Sequence, residues 1–343
     1  MATDRTDMEV VFATVMDDLV GLVKSRAIRL AAQFNLADLV KDSPRTLAEL
    51  AEASGTNEAA LYRLLRALTL SGYFREIEPR LFAQSELSAT LRTDLPRSLH
   101  DFALLHGEDW QWQPWCYADQ SLRTGEAVFQ QMFGKDLWHY FNEDNPAAGE
   151  RFSQAMSSWS RQHNPAIVQA YDFSSAQTIV DVGGGQGSLL ETILRAYPAA
   201  RGILFDRPQV IEQVSQDGLL DNLVGRVTLV SGDFFAAVPA GADLYLLKQI
   251  IHDWGDPECI QILSNCRAAL NPGGRVLVLD ELVGPGHQTP IAALVDLQLM
   301  LLQKSSKRTE EAHFPLFAAA GLQFTRALHL PTGYSILEAV AVS

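Results

Sequence analysis

Two rhythms of apolar and polar positions divide this chain. From about residue 175 onward, short apolar runs alternate with longer stretches whose apolar residues recur every three to four positions. The runs at 177–182, 201–206, 226–233, 243–248 and 275–280 predict five strands. Helices fit between them, among them one over 257–270 that Asn271-Pro-Gly-Gly274 closes. Strand, crossover helix and strand in succession require a parallel sheet covered on both faces. The ligands of such a sheet belong at the carboxyl ends of its strands. Two further strands, 324–330 and 335–342, flank Pro331-Thr-Gly333 and complete the sheet antiparallel.

The first 170 residues lack that rhythm and read as mostly helical. Leu61, Leu64, Leu65 and Leu68 recur at i, i+3, i+4 and i+7, one apolar face of a helix. A shorter helix over 46–55 precedes it and stops at a glycine, and 73–76 and 80–83 follow as a hairpin around a proline turn. Helix, turn, helix and hairpin is the layout of a winged helix, which raises a DNA-binding, ligand-responsive regulator as one reading. Charge argues against it: residues 46–92 hold five Arg and no Lys against six Glu and no Asp, and the whole chain carries −14. Phosphate binding needs a basic field. Dimerisation is the better use of this region.

Length and composition narrow the rest. Two domains, 1–170 and 171–343, are expected to pack together, because no repeat or long Pro/Ser linker separates them. The opening residues lack the basic and apolar blocks of a secretory signal. The longest apolar tract, near 291–302, is interrupted by Asp296 and Gln298 and is too short to span a bilayer. A soluble, cytoplasmic protein is expected. Cys116, Cys259 and Cys266 are odd in number and lack metal-ligand spacing, so reduced core thiols are expected, with neither disulfide nor zinc.

The chemistry concentrates at Thr178-Ile-Val-Asp-Val-Gly-Gly-Gly-Gln-Gly187, where an apolar strand meets a glycine turn and then a helix. Gly183, Gly185 and Gly187 permit a sharp turn and close approach of a nucleotide-like ligand. The blander alternative is a turn whose glycines serve only packing. Asp181 beside the turn would repel a pyrophosphate but attract a sulfonium amino acid, which points to S-adenosylmethionine rather than a dinucleotide. Asp206 ends the second strand, where a carboxylate can accept both ribose hydroxyls. Asp233 ends the third, with Phe234 beside it to pack on adenine. Lys248 and His252 follow the fourth and Glu281 the fifth; each strand-end acid could instead cap the next helix. His252 is suited to take a proton near neutral pH, which a phenol of pKa about 10 requires before it can attack. Glu281 could orient its imidazole.

Taken together, residues 181–187, 231–234, 248–254 with Asp256, 271–274, and Arg308-Thr309 with Ala320-Gly-Leu322 resemble the plant and bacterial small-molecule O-methyltransferases. That family includes caffeate, hydroxyneurosporene, polyketide and phenazine methyltransferases, and the resemblance covers nearly the whole chain. It implies a class I methyltransferase Rossmann-like sheet preceded by a winged-helix-like dimerisation domain, a homodimer, and His252 as general base. It further implies that Gly183 and Asp206 hold the cofactor's amino acid and ribose, that Asp233, Phe234 and Lys248 surround its adenine, and that Ser160 helps close the site. Phe152, Met156 and Trp159, with Asp296, Leu299 and Met300, would line the acceptor pocket.

The implied reaction is in-line transfer of the sulfonium methyl to an aromatic hydroxyl, giving a methyl ether and S-adenosylhomocysteine without a metal. A relative turned to decarboxylation or hydroxylation is the alternative within the same fold. Two residues depart from the family pattern. Lys307 stands where plant members carry a second glutamate before Arg-Thr, so either Glu281 acts alone or the relay is weaker, and a cation there could instead attract an acidic acceptor. Pro315 falls inside an expected helix, which is therefore expected to begin near it.

Overall fold

The computed structural model describes residues 2–284 and 289–342, with side chains described from residue 8 onward. Its strands are β1 (Arg45–Thr46), β2 (Phe74–Glu78), β3 (Leu81–Gln84), β4 (Thr178–Val182), β5 (Arg201–Asp206), β6 (Val227–Ser231), β7 (Ala242–Lys248), β8 (Leu270–Glu281), β9 (Leu322–His329) and β10 (Tyr334–Ala341). The chain forms two compact units, one of residues up to Trp112 with Gln154–Ser158, the other of Gln113–Ser153 with residues from Trp159 onward. The expected division at residue 170 falls at the end of the helix Pro146–Ala170, whereas residues 113–153 and 159–170, expected in the first domain, lie in the second unit.

In the first unit, local sequence chemistry sets the element ends. Thr46 and Glu49 form a reciprocal capping box at the start of the helix Leu47–Ser54, and Gly55 ends it in a left-handed conformation at φ 66°. Asn57 caps the next helix, Glu58–Leu70, which buries Leu61, Leu65 and Leu68. The antiparallel pair β2–β3 follows, with β1 added to the free edge of β3. Leu50, Leu65, Phe74 and Phe82 fill the core between these layers. The first two helices, Ala2–Leu19 and Gly21–Gln33, instead present Phe12, Val15, Leu19 and Val23 to the outside.

The second unit carries a seven-stranded sheet in the order β6-β5-β4-β7-β8-β10-β9. β4, β5, β6, β7 and β8 are parallel, whereas β10 runs antiparallel to both β8 and β9. Alternation along β7 and β8 sends Tyr245, Leu247, Val276 and Val278 into one apolar cluster and Leu244, Leu246, Leu277 and Leu279 into the other. Both faces are thus covered, and only the strand ends are free to carry chemistry.

Three expectations need correction. Asn271–Gly274 does end the preceding helix, Asp256–Ala269, but the chain continues directly as β8 from Leu270, five residues before the expected strand. The helix expected to begin near Pro315 begins at Glu310, capped by the Thr309 hydroxyl, and holds Pro315 in its interior. Pro315 and Glu311, whose carbonyl the proline N cannot bond, both lie on the exposed side of the helix. Of the three thiols, Cys259 and Cys266 are core residues, but Cys116 is exposed.

His100 ties the helix His100–Leu105 to the end of Gly21–Gln33. Its Nδ1 lies 2.9 Å from Asp101 Oδ1 and its Nε2 3.1 Å from both Ala32 O and Asn35 Oδ1. Two acceptors satisfy an imidazolium better than a neutral ring, and the hydrogen bond to Asp101, against the cost of burial, holds His100 above its ordinary value of 6.5. The stability it contributes is therefore complete below that value and lost as pH rises through the raised one. Urea unfolding of native protein and His100→Gln should differ most near pH 5.5, with the gap closing toward pH 9 (both about one to two units from the ordinary histidine range). A gap independent of pH would refute the charged state.

Candidate active site

β4 runs into the glycine turn and then into the helix Ser188–Ala196. Gly183, Gly185 and Gly187 adopt φ of +65°, +58° and +76°, a region that side chains rarely enter. A Cβ on Gly183 would lie 2.5 Å from the Ile250 side chain, whereas space beside Gly185 is open. The Gly185 N–H donates to Asp206 Oδ2 at 2.8 Å, and Arg207 N–H donates to Asp206 Oδ1 at 2.7 Å. Asp206 is thereby aimed along the open side of the turn with lone pairs to spare.

The Asp181 carboxylate is buried beside the turn, so close to Gly184 that a Cβ there would lie 2.7 Å from Oδ2. Burial, with the Asp206 charge adding to it and Lys248 opposing, pushes Asp181 up to about 7. Its Oδ2 has no hydrogen-bond partner among the described residues.

Lys248, at the end of β7, is also buried, and burial pushes it down to about 8. Its Nζ donates to Ser160 Oγ at 2.5 Å and lies 5.5 Å from the Tyr334 ring centroid. Phe234 comes within 3.6 Å of the position a Gly183 Cβ would take, which brings its ring to the turn. Asp233 is exposed and accepts from the Phe235 N–H at 2.9 Å, as a turn acid does. Open space at a backbone N–H, a carboxylate beside it and an aromatic ring near the same turn are a chemically suitable cradle for an adenosyl group.

His252 sits in the short helix Ile251–Asp253 just beyond β7 and is only 8% exposed. Its Nδ1 lies 2.5 Å from Asp280 Oδ2, and its Nε2 lies 3.5 Å from Asp253 Oδ1. The partner of the imidazole is thus Asp280 and not the expected Glu281. Strand alternation is the reason: Asp280 shares the face of Val276 and Val278, where Ile251 packs, while Glu281 shares the face of Leu277 and Leu279 and pairs across the ladder with Tyr334. His252 and Lys307 together hold the Asp280 carboxyl well below the usual carboxylate range despite its burial. Glu281, against which burial dominates, is raised.

Arg308 holds the His252 loop in place. Its guanidinium donates to Ile251 O at 2.6 Å and to Trp254 O at 2.8 Å, bracketing His252, and to Asp256 Oδ1 at 2.8 Å. Arg308 and Asp256 were visible as motif positions, but their role as a loop clamp depends on a long-range fold. Lys307 is the larger surprise. Its side chain is 1% exposed and its Nζ donates to Asp280 Oδ1 at 2.5 Å. A cation so placed is shielded from any acceptor, which removes the idea that it attracts an acidic one.

Of the residues expected on the acceptor side, Phe152 packs edge-on against Trp138 at 5.7 Å and lies 5.3 Å from Phe141, and Trp138 in turn stacks with Trp254 at 6.4 Å. Trp159 lies 4.6 Å from His163. Met156 follows Phe152 by one turn on the same helix. Asp296 spends Oδ1 on the Lys307 N–H at 2.7 Å and so anchors the Lys307 loop. Leu299 is buried and Met300 half-buried. Among the described residues, no cluster of His, Cys, Asp and Glu is placed to hold a metal ion, and no helix is long and apolar enough to cross a membrane.

Comparison with known proteins agrees with this geometry. Residues 115–323 match the model of an O-methyltransferase domain, and residues 16–94 that of an O-methyltransferase dimerisation domain. The mitomycin biosynthesis 6-O-methyltransferase of Streptomyces lavendulae is 39% identical over 93% of this chain and 91% of its own. The phenazine O-methyltransferase PhzM of Lysobacter antibioticus is 36% identical over 94% of both. The crystal structure of LaPhzM superposes with a TM-score of 0.92 at 35% identity, covering 97% of this chain and 99% of that one. Relatives at 34% and 31% identity are named as a phenazine-1-carboxylate N-methyltransferase of Pseudomonas aeruginosa and the aclacinomycin 10-hydroxylase RdmB of Streptomyces purpurascens. With its glycine turn, strand-end acids and buried histidine at one sheet edge, and with matches spanning both units, the chain belongs to the S-adenosylmethionine-dependent O-methyltransferase family.

Proposed function

We propose that this enzyme methylates the hydroxyl of a small aromatic specialised metabolite of phenolic, polyketide or phenazine type, with His252 as general base. The observation that carries the reading is the buried His252–Asp280 pair at the same sheet edge as the glycine turn. When bound, S-adenosylmethionine supplies a methyl group made electrophilic by its sulfonium. Gly183, Gly185 and Asp206 would hold its amino acid and ribose portions, with Phe234, Asp233, Lys248 and Ser160 around the adenine.

The chain's own residues then have defined tasks. Asp280 accepts the Nδ1–H of His252, which leaves the Nε2 lone pair free to take the hydroxyl proton of the acceptor. The imidazolium so formed stays paired with a carboxylate that remains ionised. Arg308 keeps the ring from drifting by holding the carbonyls on either side of it. Phe152, Trp159, Leu299 and Met300, with Met156, supply an aromatic and aliphatic acceptor side, as the family resemblance implies. A relative turned to hydroxylation would have no use for a base held in this way.

His252→Gln should lower turnover on phenolic acceptors about 10²- to 10⁴-fold with little change in cofactor affinity. Asp280→Asn should fall in the same direction, because an amide can hold the wrong tautomer. Steady-state rates measured well below the acceptor's pKa, equal in native and His252→Gln, would remove His252 as the base.

Asp206→Ala should weaken S-adenosylmethionine binding by about 1.5–3 kcal/mol, the worth of a hydrogen bond to a charged group. Calorimetry that returns an unchanged Kd would dissociate Asp206 from the ribose.

A homodimer built on the first unit is the expected assembly. The dimerisation-domain match at 16–94 and the outward Phe12, Val15, Leu19 and Val23 support it. An apolar interface of this kind should survive high salt, since burial of apolar area is not screened as ion pairs are. Light scattering should give twice 37.8 kDa, and Phe12→Asp with Val15→Asp should shift it toward monomer. A fully active native monomer would exclude this role.

A further inference from the structure

We propose that Lys307 is a positioning residue for His252, its ammonium sharing the Asp280 carboxylate with the imidazole so that the carboxylate orients the ring without drawing a proton onto it before the acceptor arrives. The proposal rests on His252 being the base.

A buried ammonium is tolerated only when paired, and Lys307 is paired most closely with Asp280. Its Nζ lies 2.5 Å from Asp280 Oδ1 and 3.9 Å from Glu281 Oε2. Asp280 Oδ1 also accepts the Glu281 N–H at 2.8 Å, which leaves Oδ2 to His252 Nδ1. The carboxylate is therefore divided, one oxygen to the cation and the other to the ring.

Lys307 Nζ also lies 3.2 Å from His252 Nδ1. Asp280 Oδ2 at 2.5 Å can accept an Nδ1–H, which the ammonium, lacking a lone pair, cannot do, so the carboxylate and not Lys307 sets the proton on Nδ1. At that separation the fixed positive charge opposes a second one on the ring, while Asp280 at 2.5 Å favours it.

The position of Lys307 is held from its own backbone: its N–H donates to Asp296 Oδ1, and the adjoining Arg308 clamps the His252 loop. The other ionisable groups facing His252 are Asp253 on its own loop, Glu281 on β8 and His313 on the helix Glu310–Ala319; Lys248 at the end of β7 faces the same group of acids. Among the described residues, Lys307 is the one cation in hydrogen-bond range of the imidazole.

Two readouts test this. With labelled histidine, the His252 ring resonances, assigned by their loss in His252→Gln, are followed against pH in the native enzyme and in Lys307→Met and Lys307→Arg. The acid limb of kcat/KM is measured in parallel on a naphthol or hydroxyphenazine that the native enzyme methylates.

Lys307→Met leaves Asp280 to act on the ring unopposed, so ring titration and acid limb should both move to higher pH by about one unit or more. Lys307→Arg should keep the native midpoint. The double variant Lys307→Met with Asp280→Asn removes both charges and should bring the midpoint back toward native. A midpoint that stays put in Lys307→Met overturns the proposal; should that variant not fold, so does a midpoint that fails to fall in Asp280→Asn, where the ammonium acts on the ring unopposed. So does one that moves as far in Lys307→Arg as in Lys307→Met, since packing rather than charge would then be at work. Failure of the base reading is separate: turnover would survive His252→Gln while the ring titration still answered to Lys307.

Discussion

A carboxylate buried to 3% exposure, Asp280, is the group around which the catalytic side of this enzyme is arranged. Ionised and out of water, it must be paired on both oxygens, and a residue removed from either side would leave a charge that the interior does not tolerate. His252 satisfies one oxygen, Lys307 and a backbone N–H the other. The loop before the helix Glu310–Ala319 and the loop after β7 are thereby joined at a single side chain. Arg308 repeats the connection one residue on, by carbonyls rather than charge.

The cofactor side follows the same physics with the opposite outcome. Asp181 and Lys248 are both buried, and burial moves the acid up and the base down, toward the neutral forms. Asp280 escapes that fate because His252 and Lys307 outweigh its desolvation. Neighbouring carboxylates at the ends of parallel strands thus come to differ: Asp181 keeps an unpartnered oxygen among the described residues, Asp206 accepts from two backbone N–H groups, and Asp280 stays charged. Pairing, more than depth of burial, separates their roles.

Much of this was legible in the chain. The alternation of apolar runs and helical stretches determined the doubly covered sheet, and the Gly-x-Gly-x-Gly spacing after Asp181 determined the turn and the class of ligand it suits. Thr46 with Glu49, and Gly55, determined their helix ends because caps act over three or four residues. The acidic balance of 46–92 argued against a duplex-binding role for its winged-helix layout. Such features are local or compositional, and local physics suffices to read them.

The tertiary structure decided what depends on which residue faces which. Asp280 and Glu281 are adjacent acids at a strand end, and only the sheet's two faces distinguish the one that meets Ile251 and His252 from the one that meets Tyr334. Pro315 could remain inside a helix because it and Glu311 lie on the solvent side, and Cys116 could remain at the surface while its two counterparts entered the core. Lys307 shows the limit best: in the chain it is a cation beside an arginine, standing where the family pattern has a glutamate. A contact 27 residues away in sequence makes it the buried partner of Asp280, because a desolvated charge takes its meaning from the one group placed against it.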